Sequence, residues 1–118
     1  MPSSPRGALP LGERALLFAQ LAAMERAGLP ADKALATLQL QPDTQKRVAA
    51  MSRLLAQGLD LARSGQKSGV FTPLDATLLQ AAQSAGSPAR VYERLAERCA
   101  HKAAQAKALQ SRLLLPAA

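Results

Sequence analysis

Residues 84–96 read Ser84-Ala85-Gly86-Ser87-Pro88-Ala89-Arg90-Val91-Tyr92-Glu93-Arg94-Leu95-Ala96, and no helix breaker follows until Pro116. Gly86 is placed to close one helix, since a left-handed residue just past the last turn is commonly glycine. Ser87 and Pro88 suit the N-cap and first position of the next. That helix can run for about 27 residues, or roughly 40 Å at the usual rise. It is long for a chain of 118 residues. Tyr92, Leu95, Cys99, Ala103, Ala106 and Leu113 give it a stripe near seven-residue spacing. Past Glu97 every charged residue is basic: Arg98, Lys102, Lys107 and Arg112. Compensation of the helix dipole accounts for Lys107 and Arg112 but not for the whole run. A helix nearing a membrane from the cytoplasmic side, where Lys and Arg accumulate, is the other reading, and the residues alone leave the two evenly weighted.

Working back toward the N-terminus, the other helices are announced mostly by their ends. A first helix over 12–27 carries Leu17, Leu21, Met24 and Ala27 on one face, with Leu16 and Ala23 beside them. Gly28 closes it, and Leu29 folds back on Met24. Pro30 begins a second helix, to about Leu40, with Ala34, Leu35 and Leu38 inward. Pro42 stops it. Asp43 is read as the N-cap of a third helix, with Val48, Met51, Leu54 and Leu55 inward and Gly58 as its terminator. Asp60 caps a short fourth helix that gives way to a flexible loop, Ser64-Gly65-Gln66-Lys67-Ser68-Gly69. Phe71 is an apolar anchor before Thr72-Pro73-Leu74-Asp75, which has a capping residue, Pro at N1 and an acid at N3. The fifth helix then presents Leu74, Leu78, Ala81 and Ala85 inward. Gly28, Gly58 and Gly86 recur at intervals of about 30 residues. The segments between them match poorly, so they read as three helical hairpins rather than a tandem repeat. The expected fold is all-α: a compact six-helix bundle of three hairpins with a long C-terminal helix.

Composition supports this. Apolar residues make up 48% of the chain, chiefly Ala and Leu, and the aromatics are Phe18, Phe71 and Tyr92 alone. Scarce β-branched and aromatic residues favour helix over strand. A net charge of +7 points to an acidic partner: nucleic acid, an anionic membrane surface or a protein. One cysteine excludes an internal disulfide and suits a reducing compartment. There is no apolar run of membrane-spanning length. Residues 1–11, rich in proline, read as a disordered leader without signal-peptide character. Residues 12–116 form the domain, and 117–118 a tail.

No catalytic constellation stands out. Cys99 and His101 are two apart on a helix and point in different directions, so they read as a buried thiol beside a solvated histidine. One His and one Cys offer no metal cluster, and no cofactor is expected. Glu93 and Glu97, interleaved with Arg90, Arg94 and Arg98, read as an exposed salt-bridged face, with a carboxylate metal site as the minor alternative. The Ser64–Gly69 stretch lacks Walker spacing and a preceding strand. Nucleic-acid binding is served by the charge but not by three core-like aromatics.

The order of these blocks resembles the cytoplasmic domain of the type II secretion system F-type inner-membrane platform proteins, close kin of the type IV pilus assembly protein PilC. Members carry Gln-Leu-Ala-x-Leu-x-x-Ala-Gly-Leu-Pro and then x-x-x-Ala-Leu. Here Gln20-Leu21-Ala22-Ala23-Met24-Glu25-Arg26-Ala27-Gly28-Leu29-Pro30 and Ala34-Leu35 match it. Gly58, Leu61 and Phe71 fall in the next block, with Asp60 in place of a serine. In the third, Gly86, Leu95 and Ala96 align, but the family's Gly-Glu pair is Ala82-Gln83. Arg112-Leu113-Leu114-Leu115-Pro116 resembles the basic helix end before the first membrane span. The resemblance covers roughly Leu16 to Pro116.

It implies a non-catalytic scaffold, often dimeric, at the cytoplasmic face of a bacterial inner membrane. Membrane spans would lie outside this chain. The partners implied are the secretion or pilus assembly ATPase and other inner-membrane platform proteins. Arg94, Arg98, Lys102 and Arg112 are the candidate partner- or membrane-facing residues. Gln83 puts in doubt any cation site or polar interdomain contact that needs the family's acid. The competing reading is a basic helical nucleic-acid-binding module, whose affinity would fall steeply with salt.

Overall fold

Helices account for most of residues 7–114, the part of the chain described by a computed structural model; the side chains of Ala31, Asp32 and residues 112–114 lie outside that description. In order they are α1 (Leu11–Arg26), α2 (Ala31–Ala36), α3 (Pro42–Ala56), α4 (Leu61–Ser68), α5 (Pro73–Ala85) and α6 (Pro88–Leu114). No strand occurs among the described residues. Each helix packs on the next in the chain, and α6 returns to α1 in the most extensive contact, closing the ring. The fold is the expected all-α six-helix bundle. It measures 54 × 33 × 24 Å.

Helix ends follow local chemistry. After α1, the Leu29 amide donates to the Met24 carbonyl at 2.9 Å and the Gly28 amide to Glu25 at 3.0 Å. That is the double bond of a Schellman cap, and it needs the left-handed φ of +79° found at Gly28. The same pair of bonds recurs at Gly58 and Gly86. Asp60 caps α4 by accepting from the Arg63 amide at 2.8 Å. Thr72 and Asp75 complete the capping box of α5, each side chain accepting from the other's amide at 3.0 Å.

The centre is aromatic. Phe18 stacks on Phe71 with ring centroids 5.6 Å apart, and on Tyr92 at 6.5 Å. Leu17, Leu21, Leu35, Met51, Val70, Leu79, Leu95 and Cys99 close around them. Leu9, within the stretch read as leader, is buried in the same core. The packed region therefore starts before Gly12; residues 1–6 and 115–118 lie outside the described residues.

Several expectations are corrected. Helix α2 ends at Ala36, where Thr37 Oγ1 donates to the Ala34 carbonyl. Asp43 does not cap α3: Gln41 is the N-cap, Pro42 stands first, and Asp43 lies in the first turn, 3.4 Å from Arg47. The Ser64–Gly69 stretch is not a loop. Helix α4 continues to Ser68, with Ser64 and Gly65 buried and Gly69 left-handed at its end. Position 65 is glycine inside a helix because a Cβ there would overlap the Phe71 ring.

The inward faces of α1 and α5 also differ from expectation. α1 buries Leu17, Phe18, Leu21 and Ala22, leaving Ala23, Ala27 and Leu16 exposed. α5 buries Asp75, Ala76, Leu79 and Ala82. Its Leu74, Leu78, Ala81 and Ala85 stripe exists but faces outward, roughly a third of a turn away. The capping box and the aromatic cluster decide the rotation: Asp75 must turn inward and Phe71 must enter the core.

Candidate interaction surface

Where the starts of α1 and α5 meet the middle of α6, a groove of about 210 Å³ is lined by Leu11, Arg14, Thr72, Leu74, Asp75, Leu95, Arg98, Cys99 and Lys102. Its floor holds an ion pair. Arg14 Nη2 donates to Asp75 Oδ2 at 3.0 Å and to Oδ1 at 3.3 Å, with side-chain exposures of 14% and 3%. Asp75 Oδ2 also accepts from the Thr72 amide. One carboxylate thus caps α5 and holds α1. Arg14 Nε is buried without a hydrogen-bond partner.

Leucines and cations form the walls. Leu74 is 51% exposed, and Leu78 one turn on is 38% exposed, large fractions for leucine. Arg98 and Lys102 stand on α6 and are exposed. Among the described residues neither makes an ion pair. The Asp75 charge is matched by Arg14, so the rim is left cationic.

The predicted residues are thus partly brought together. Arg98 and Lys102 share the groove. Arg94 is exposed on α6 but does not line it. The Arg112 side chain lies outside the described residues. Gly28, Gly58 and Gly86 are helix terminators, Pro30 stands at the N-cap of α2, and Phe71 is core. Gln83 is exposed on α5, where its backbone carbonyl accepts from the Gly86 amide. Leu11, Arg14, Leu74 and Asp75 were missed as surface-forming residues. The acid at the N3 position of α5 was visible, but its partner 61 residues earlier had no sequence signal.

The rest of the chemistry is quiet. Cys99 is buried and His101 exposed, so they form no pair. Burial pushes the Cys99 thiol up, against the pull of the Arg14 charge, the opposite of what activates a nucleophile. Glu93 pairs with Arg26 of α1 at 2.6 Å rather than with an arginine of its own helix. That guanidinium holds the Glu93 carboxyl below its usual range. All three aromatics are buried, so none is presented for stacking on a base. Among the described residues no group of three or more His, Cys, Asp and Glu side chains is placed to hold a metal ion. No described helix is long and apolar enough to cross a membrane.

α6 outruns the bundle. From Ala100 to Ser111 every residue is exposed except Ala103, which is half-buried. Fold and surface together define an all-α bundle with a projecting, basic final helix. A family model described as type II secretion system (T2SS), protein F, matches residues 17–118, and the chain belongs to that family. It is thereby an inner-membrane component of the secretion and pilus class of machinery. No curated protein matches the chain.

Proposed function

We propose that this chain is a non-catalytic platform domain that binds the cytoplasmic secretion ATPase and other inner-membrane components at the cytoplasmic face of the membrane. The projection of α6 carries this reading. A helix that buries its first three turns against α1 and then runs exposed, bearing Lys102 and Lys107 and no acid, suits a stalk between a bundle and an anionic boundary. The domain comprises residues 12–116, with Leu9 packed onto it. It self-associates as a homodimer, and the membrane is reached through segments outside this chain. Arg94, Arg98, Lys102 and Arg112 form the partner- or membrane-facing side. Gln83, exposed where the family carries an acid, is the position at which its contacts differ from those of its relatives.

Pull-down with the cognate ATPase and with a second tagged copy of the chain tests this. Wild type is expected to capture both, and Arg94→Glu/Arg98→Glu to lose capture of at least one. Capture of both by the variant rejects the basic face. Failure of wild type to capture the ATPase rejects the platform role. Salt-sensitive binding of DNA or RNA by the wild type would favour the nucleic-acid alternative.

A further inference from the structure

The groove between α1, α5 and α6 has the chemistry of a receptor for one kind of segment. We propose that it docks an acidic, leucine-bearing helix of a partner protein. An apolar side chain of that helix enters between Leu11, Leu74 and Leu95. Carboxylates flanking it meet Arg98 and Lys102. This deepens the platform reading by naming the chemistry of the partner, and it rests on that reading only for where the partner comes from.

Two observations carry it. The leucines supply apolar contact that water now covers: Leu74 is half-exposed, and Leu78 extends the same face along α5. Such a pairing of apolar wall and charged edge is how an amphipathic helix is read by a groove. The charge is complementary to an acid and to nothing basic. Asp75 is already held by Arg14 and the Thr72 amide, while Arg98 and Lys102 are without ion-pair partners among the described residues.

Position favours a protein over a lipid. Arg98 lies 16 residues before Leu114, the end of α6, which is roughly 24 Å along the helix. A bilayer met at that end lies beyond the reach of the groove. The groove is also concave and leucine-walled, whereas a headgroup layer presents no apolar side chain to fill it.

The test is a titration of the ¹⁵N-labelled chain with a synthetic amphipathic peptide carrying leucines at i and i+4 flanked by glutamates. A second peptide has lysine for each glutamate, and phosphatidylglycerol vesicles form a third arm. Amide shifts are expected at Leu11, Thr72, Leu74, Leu95 and Cys99 with the acidic peptide alone. Arg98→Glu/Lys102→Glu should weaken binding at least about tenfold with an unchanged melting temperature. Leu74→Gln, at an exposed site, should weaken it too. Equal binding of the lysine peptide, or shifts elsewhere, overturns the proposal. Vesicles that move the same amides overturn it in favour of lipid. ATPase capture without any peptide response sinks the groove and spares the platform role. Peptide binding at the groove without ATPase capture does the reverse.

Discussion

Arg14 on α1 and Asp75 on α5 are joined through a single guanidinium nitrogen that donates to both carboxylate oxygens, at 3.0 and 3.3 Å. Asp75 also accepts from the Thr72 amide at 3.0 Å. The capping box that starts α5 is therefore also the joint that fixes α5 against α1. Local and long-range structure share one side chain.

Removing one member of this buried pair strands the other. Arg14→Leu is expected to cost about 3–5 kcal/mol, the usual penalty for an uncompensated buried charge. Asp75→Ala should cost at least as much, because the cap is lost as well. Urea unfolding of the two single variants and the double variant checks this: the double loss should fall well short of the sum. Additive losses would mean that the pair is not coupled. Glu93→Gln, which breaks the exposed bond to Arg26, should change stability far less than either.

Gly65 is a test of close approach. A Cβ there overlaps the Phe71 ring, so Gly65→Ala should destabilise by about 1–3 kcal/mol through overpacking. Adding Phe71→Leu should recover part of that loss relative to Phe71→Leu alone. Gly28→Ala makes a contrast. Space around Gly28 is open but φ is +79°, so its cost of about 1 kcal/mol is backbone strain that no second-site change relieves.

Tyr92 gives the fold an alkaline limit. Burial, with the Glu25 charge second, raises its phenol above the ordinary value of 10.0. The folded state thus holds the neutral form more tightly than the unfolded chain does. That contribution is complete below the unfolded value and is lost as pH rises beyond it. Thermal melts should be level to about pH 9 and then decline, and Tyr92→Phe should decline less. The chain has one tyrosine, so tyrosinate absorbance reports this site alone. Its appearance before unfolding would contradict the account.

What could be read from the sequence was what is local. Gly28, Gly58 and Gly86 end helices because the chain must turn left-handed there, and Asp60 and the Thr72–Asp75 box act within four residues. The rotation of α1 and α5 was not legible. In Ala- and Leu-rich helices apolar residues lie on several faces, so Leu74 and Leu78 competed with Ala76 and Leu79 for the inward side. Ser64 and Gly65 resemble loop residues, and the Phe71 ring that leaves room only for glycine at position 65 had no local signal. For the groove, the basic run gave Arg98 and Lys102. Leu11, Leu74 and the Arg14–Asp75 floor come from three separate stretches that only the folded ring brings together.

The central claim, a platform domain that holds its partners through a basic α6 face, is tested most directly by calorimetric titration of the chain with its cognate secretion ATPase. Binding is expected for the wild type. It should weaken at least about tenfold in Arg98→Glu/Lys102→Glu, with the fold intact by circular dichroism. No binding by the wild type, or the same affinity in the variant, would contradict it.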